Sequence, residues 1–269
     1  MYKRQLSALT LFFVLALQRK IRVLRALGLK DHLQHLGLGA LGLFLYGACF
    51  FGAISIMPVQ EATVLNYVWP LFAMLLAVPL LKERLRLASL GAALLAFVGV
   101  VIVVTQGDPF AHPPSSVLGI GLMTVSGVSY ALYSLIGKRM TVDPVVAVFL
   151  HSLYAAPMFL LSALFLGVRA DITPFGWLTL LYLGPVTIGL AYLLWLTALR
   201  SLETRVAGTL IYLTPFVSLT LIALLVGEPI HPASWAGLIL IIAGATWQLW
   251  QGKNGTIQEQ NNAQTQRQA

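Results

Sequence analysis

Acidic residues are scarce in this chain. Nine Asp and Glu stand against seventeen Lys and Arg in 269 residues, and none of the nine falls at the middle of an apolar run. A convergent set of carboxylates, as a hydrolase or a calcium site needs, is therefore not expected. Cysteine is scarcer still. Cys49 is the only one and lies in an apolar segment, which excludes a disulfide framework or a thiolate metal site within one chain. His32, His35, His112 and His231 are scattered over expected loops without metal-ligand spacing. No phosphate-binding P-loop exists, so ATP hydrolysis by that route is excluded. Gly37, Gly39 and Gly42 match a dinucleotide fingerprint, but no strand precedes them, so they read as close helix packing.

Apolar residues fill the space that charge leaves. They make up 58% of the chain, with charged residues at 10% and a mean hydropathy of +0.85. An all-α integral membrane protein follows, and the net charge of +8 reads as a topology signal, not as a nucleic-acid surface. Residues 6–17 form a short apolar segment. Longer ones follow at 37–56, 62–81, 87–105, 117–137, 144–167, 175–199, 206–226 and 234–250. Loops between them are short and rich in Gly and Pro, as at 106–116. The tail 253–269 is rich in Gln and Asn and is expected to be disordered.

The segment 62–82 organises the rest. Its twenty-one residues make a helix of about 31 Å, the thickness of a bilayer's hydrocarbon core. Pro70 sits near its middle and leaves the Asn66 carbonyl without a helical partner. Thr63, Asn66, Tyr67 and Pro70 share a face at helical spacing, so that face should prefer protein or a wet cavity to lipid.

The pattern recurs. Tyr212, Pro215, Glu228, Gly244, Gln251 and Gly252 each lie 145 residues after Tyr67, Pro70, Glu83, Gly99, Gln106 and Gly107. The chain therefore reads as an internal duplication, with repeats at 1–107 and 115–252. Carrying 117–138 and 144–167 back by the same offset puts one whole helix before Met1 and truncates the next. The first repeat is thus expected to lack one helix of five, with residues 1–5 foreign to it.

Orientation follows from Lys and Arg. Alternate loops carry Arg19, Lys20, Arg22, Arg25 and Lys30, then Lys82, Arg84 and Arg86, then Lys138 and Arg139, then Arg200 and Arg205, whereas the intervening loops carry Arg169 alone. The rich set and the C-terminus are expected inside the cell. Glu83 and Glu228 then fall on opposite sides, so the repeats are inverted. Two inverted halves can build one central pocket that opens to either side in turn.

These residues carry a resemblance. AxxLNYVWPLF, Glu83-Arg84-Leu85, GAALLAFVGVVIV, YLTPFVSLTLIALLVGE and AGLILIIAGA are similar to the paired EamA repeats of the drug/metabolite transporter superfamily, and YVWP at 67–70 resembles its aromatic amino acid exporter branch. The resemblance implies a polytopic bundle of two inverted five-helix repeats in the cell's inner membrane. It also implies export of amino acids or related metabolites, with the lipid bilayer and a small molecule as partners. It implies no cofactor, no nucleic acid, no catalysis, and a monomer or homodimer. A carrier of drugs or sugar-linked metabolites, or a non-transporting scaffold, stays open.

Candidate pocket residues are Tyr67 and Tyr212 first, each three residues before a mid-helix proline, then Asn66, Trp69 and Thr209. Tyr130 and Tyr133 give 117–137 an aromatic face, joined by Tyr46 and Tyr192. His151 is an ionisable group inside a span, which marks it for function. Pro70 and Pro215 are candidate kinks, and Glu83 and Glu228 candidate gates. Trp177, Trp235, Trp247 and Trp250 sit at helix ends, as membrane-interface anchors do.

Overall fold

The computed structural model describes residues 2–109, 116–167, 173–225, 227 and 230–268, with side chains placed over 5–251 of that range. All regular structure among them is helical. A bilayer offers the peptide group no water, so each spanning segment must satisfy its own backbone, and a helix does this locally. Helix α1 is Tyr2–Leu17 and the short α2 is Ile21–Ala26. Eight helices among the described residues are long and apolar enough to cross a membrane: α3 Leu29–Ile54, α4 Val59–Leu81, α5 Leu87–Val104, α6 Val117–Arg139, α7 Pro144–Phe165, α8 Pro174–Ser201, α9 Thr204–Leu225 and the apolar part Pro232–Gln251 of α10. The last helix, α10, runs Pro232–Gln268, through the polar segment expected to lack regular structure. Its Gln, Glu and Lys are good helix formers in themselves.

The helices reproduce the 145-residue offset at their starts. Leu29 pairs with Pro174, Val59 with Thr204 and Leu87 with Pro232. Their irregularities pair as well. A π-helical stretch Gly39–Leu45 interrupts α3, and Gly184–Leu190 interrupts α8. In the first, the Tyr46 N–H donates five residues back to the Leu41 carbonyl, and in the second Ala191 donates to Val186. Proline is not what imposes this turn, because Pro185 in the second copy is matched by Ala40 in the first. Helix α4 breaks between Val59–Asn66 and Trp69–Leu81, and α9 passes through the 3₁₀ turn Ile211–Leu213. The α4 break tightens around the proline: Val68 N–H donates to Leu65 and Leu71 N–H to Val68, both three residues back. Pro70 thus opens the second half of α4, a position at which its missing N–H costs nothing.

Contacts divide the chain into two compact units, Met1–Cys49 with Ser129–Ser201 and Phe50–Val128 with Leu202–Ala269. Each unit draws helices from both sequence repeats. In the second unit α5 packs along its repeat-equivalent α10. Gly99 faces Gly237 and Ile241, whereas Gly244 faces Ala92 and Ala96. Residue numbers rise on one helix as they fall on the other, so these equivalent helices are antiparallel. A Cβ on Gly99 would lie 2.5 Å from the Gly237 carbonyl oxygen, and one on Gly244 2.6 Å from that of Ala92. Glycine is what lets the backbones approach, the usual basis of helix association in membranes.

In the first unit α1 packs against its own equivalent α7. Ser7 and Ser152, 145 residues apart, bring their hydroxyls to 3.4 Å, and Leu11, Leu15, Val146, Val148 and Leu150 form the core around them. The entry to α7 is tied down by Asp143. Its carboxylate accepts from the Val145 and Val146 N–H groups at 2.9 and 3.4 Å and from Lys20 Nζ at 2.6 Å. Arg200, expected as a topology charge, donates to the carbonyls of Gly137 and Val142.

Two predictions follow from these contacts. Gly99→Ala should lower the thermal midpoint of the full chain in detergent, because overpacking costs about 1–3 kcal/mol. That loss should exceed alanine's helix-propensity gain of about 1 kcal/mol. Gly121→Ala, where nothing lies within 4 Å of the added carbon, should be neutral or stabilising. The second prediction concerns pH. Partial burial raises the Asp143 pKa, but the Lys20 hydrogen bond, the two backbone donors and the Lys20 charge outweigh it, and the carboxyl sits below its ordinary value of 3.8. Because the folded value is depressed, the stabilisation is complete above 3.8 and is lost as pH falls through the folded value. Asp143→Ala should cost about 1 kcal/mol at neutral pH, and the difference from the parent should shrink in melts taken at progressively lower pH below 3.8.

Candidate functional site

Four membrane-depth irregularities, two per repeat, place the candidate side chains. In the first unit they gather into one cluster. Tyr46 leaves the π turn of α3 and packs on Tyr130 of α6, ring centroids 4.9 Å apart. Tyr130 stacks on Tyr133 at 5.8 Å, and Tyr192, just beyond the π turn of α8, stands edge-on to Tyr130 at 5.7 Å and tilted to Tyr133 at 6.0 Å. Offset and edge-to-face pairs of this kind are the favoured aromatic geometries. Trp195, one turn along α8, donates its indole N–H to the Ser134 hydroxyl at 3.0 Å. Five candidates, Tyr46, Tyr130, Tyr133, Tyr192 and His151, thus form one contiguous group.

His151 is fully buried and held on both ring nitrogens. Nδ1 lies 3.2 Å from the Tyr133 hydroxyl and Nε2 lies 3.1 Å from Nδ1 of His35. Two glycines make the room. A Cβ on Gly39 would stand 2.7 Å from the His151 carbonyl oxygen, and one on Gly42 would stand 2.0 Å from the Tyr133 ring. These two members of the apparent dinucleotide fingerprint are packing positions, whereas Gly37 has nothing within 4 Å.

Sequence reasoning missed His35. Its polar neighbours suggest a loop before a span starting at 37, but α3 starts at Leu29 and His35 is buried two turns in. The signal was available, since Leu29 lies 145 residues before Pro174, a residue suited to the first helical position. A second imidazole of the same helix, His32, meets the Tyr154 hydroxyl at 2.6 Å.

In the second unit the repeat partners Tyr67 and Tyr212 meet at the helix breaks, ring centroids 6.4 Å apart, with Phe97 6.1 Å from Tyr212. Tyr212 is fully buried and its hydroxyl has no partner. Trp69 and Pro70 are buried beside them, as is Pro215. Asn66 ends the first half of α4. The Thr209 hydroxyl is turned onto its own helix, donating to the Arg205 carbonyl at 2.9 Å. Glu83 anchors a turn: it accepts from the backbone N–H and the hydroxyl of Thr204, at 3.1 and 2.9 Å, at the start of α9. Its repeat partner Glu228 lies outside the described residues. Arg205, counted above with the loop charges, is buried and reaches Glu203 and the Ser89 hydroxyl, and Ser89 in turn donates to Gln251 at 3.2 Å. Trp177, Trp235, Trp247 and Trp250 are each at least 40% exposed, against 6% for Trp69, so the helix-end and mid-span tryptophans occupy different environments.

Known proteins share this sequence pattern and this fold. The model of the EamA-like transporter family matches residues 3–105 and 117–250. The aromatic amino acid exporter YddG of Ancylobacter novellus is 29% identical over 208 residues, covering 76% of this chain and 71% of its own length. A probable amino-acid metabolite efflux pump of Salmonella typhimurium is 31% identical over 215 residues, covering 75% and 69%. A protein of known crystal structure, 26% identical, superposes with a TM-score of 0.78 over 91% of this chain and 88% of its own. With both halves of its length matched by the one family model, the chain belongs to the EamA-like transporter family.

Proposed function

We propose that this chain is a secondary carrier that exports amino acids, aromatic or neutral, or closely related metabolites. It works by alternating access to a central pocket, in the inner membrane with the C-terminus cytoplasmic. The observation that carries the reading is the set of mid-span interruptions that recur at the 145-residue offset: the π turns of α3 and α8 and the breaks of α4 and α9. Carriers built from inverted repeats place their sites where spanning helices are discontinuous, because unwound backbone supplies polar groups at membrane depth and hinges for the opening of each side. π turns inside helices likewise concentrate at functional sites.

The side chains at these interruptions suit the substrate class. Tyr46, Tyr130, Tyr133 and Tyr192 offer ring faces and hydroxyls in one group, and Tyr67 and Tyr212 offer a second pair. Aromatic walls with a few polar groups favour an amphipathic solute, and the names of the two relatives above point to the same class. The buried, unpartnered hydroxyl of Tyr212 is a group whose cost a solute's polar atom would relieve.

The test is flux through the full chain in proteoliposomes, with labelled L-phenylalanine as probe. Replacing both Tyr67 and Tyr212 by alanine should lower the rate about tenfold, since aromatic contacts are worth about 0.5–1.5 kcal/mol each. Phenylalanine at both positions should retain most of it. A double alanine variant that melts like the parent and carries phenylalanine equally fast would remove these residues from the pocket.

A further inference from the structure

In a chain so poor in ionisable groups at membrane depth, two imidazoles in contact require a reason. His35 and His151 are both fully buried, their rings 5.1 Å apart between centroids and their nearest nitrogens 3.1 Å apart. The hydroxyl of Tyr133 closes the other end, 3.2 Å from His151 Nδ1. The far nitrogen of the chain, His35 Nε2, is buried and has no partner. We propose that the His35–His151 pair is a proton-binding site of this carrier, read by the solute path through Tyr133. The proposal rests on the carrier reading above for its use, though not for its existence.

Proton bookkeeping follows from the hydrogen-bond geometry. With both rings neutral, each carries one N–H, and the bonds can run in either of two directions. In one, Tyr133 donates to His151 Nδ1, His151 Nε2–H donates to His35 Nδ1, and the His35 Nε2–H is left without an acceptor. In the other, His35 Nδ1–H donates to His151 Nε2, His151 Nδ1–H donates to the Tyr133 oxygen, and His35 Nε2 bears a free lone pair. That lone pair takes a proton from hydronium: an O–H bond breaks, leaving water, as the N–H bond forms, and His35 becomes imidazolium while still donating to His151. Release returns the same proton to water and restores the neutral pair. No other bond changes.

Access and environment fit this use. Asp31 and Leu38 lie on the face of α3 that carries His35, and both line an open cleft of about 690 Å³ that also takes in Gln34, Arg139 and Thr141. Water is thus about one helical turn from His35. The titratable and charged groups facing the pair are few. Helix α3 contributes Asp31 and His32, α6 contributes Tyr133, α7 contributes Tyr154 through His32, and α8 contributes Tyr192 and Arg200. Against α7, α1 presents Ser7 to Ser152. On the other flank Tyr133 stacks in the aromatic group with Tyr130 and Tyr192. A solute seated on those rings is therefore two hydrogen bonds from the protonated ring, Tyr133 to His151 and His151 to His35.

The experiment uses the full chain and two readouts. The first is ¹⁵N-histidine NMR in micelles between about pH 4.5 and 8, the range in which imidazoles exchange protons, with signals assigned through His35→Asn and His151→Gln. A single proton shared by the two rings is expected, and it should vanish in His35→Asn, whose amide nitrogen can take the place of Nδ1 but cannot titrate. If neither ring takes up a proton, the proposal is overturned, whether or not phenylalanine moves. The second readout is the number of protons moved per phenylalanine in proteoliposomes loaded with a pH-sensitive dye. The ratio should fall at least about tenfold in His35→Asn, and in Tyr133→Phe if the first variant does not fold. An unchanged ratio overturns the proposal and leaves the carrier reading standing. A titrating pair in a parent chain that moves no phenylalanine leaves the proton site standing and overturns the carrier reading.

Discussion

A peptide group in the hydrocarbon core has no water to bond, and every feature of this structure answers that constraint. An uninterrupted helix answers it most cheaply, so an interruption survives only where something else satisfies the freed backbone. Four spans are nonetheless interrupted along their length, and the two π turns agree to the residue across the duplication: Tyr46 N–H to Leu41 in one copy, Ala191 N–H to Val186 in the other. The second copy has a proline inside its π turn and the first does not. The backbone irregularity has thus been kept while the residue that would explain it locally differs.

Repeat-equivalent residues meet inside each unit, Ser7 with Ser152 in one and Tyr67 with Tyr212 in the other. Within the second unit the meeting of Tyr67 and Tyr212 marks a local two-fold axis, and the antiparallel run of α5 against α10 sets that unit's axis across the helices, not along them. Gly99 and Gly244 are consequences of this geometry. The approach of Gly99 to the Gly237 carbonyl is repeated by that of Gly244 to the Ala92 carbonyl, and neither Gly99 nor Gly244 has room for a Cβ.

Much of this was legible in the sequence, because hydropathy and a fixed offset report on lipid and duplication, which act over whole segments. Pro70, Tyr67 and Tyr212 could be marked because proline acts on the backbone wherever it stands. His35 was lost for two reasons. The first turns of α3 carry Lys30, Asp31, His32 and Gln34 and read as a loop. Beyond them, the π turn at Gly39–Leu45 spoils the helical wheel, since one additional residue rotates the following face by about 100°. Periodicity alone therefore could not align His35 above the turn with Tyr46 below it. Arg200 and Arg205 flank the turn between α8 and α9, yet their guanidinium groups bond inward, to Gly137 and Val142 and to Ser89. Charge counting reports the side of the membrane and says nothing of the partner.

Tyr133 is where these strands of argument join. Its ring is pressed against Gly42 of α3, stacks on Tyr130 within α6, tilts against Tyr192 of α8, and its hydroxyl reaches His151 of α7. One side chain therefore ties its own helix to three others, meeting α3 within its π turn and α8 just beyond its own. Tyr133 is packed against Gly42 on one side and Tyr130 and Tyr192 on the other, with its hydroxyl 3.2 Å from His151 Nδ1. Coupling of two sites requires an element with two arrangements that both sites bias. The reversible direction of the Tyr133–His151–His35 chain is such an element, and the aromatic group is positioned to bias it.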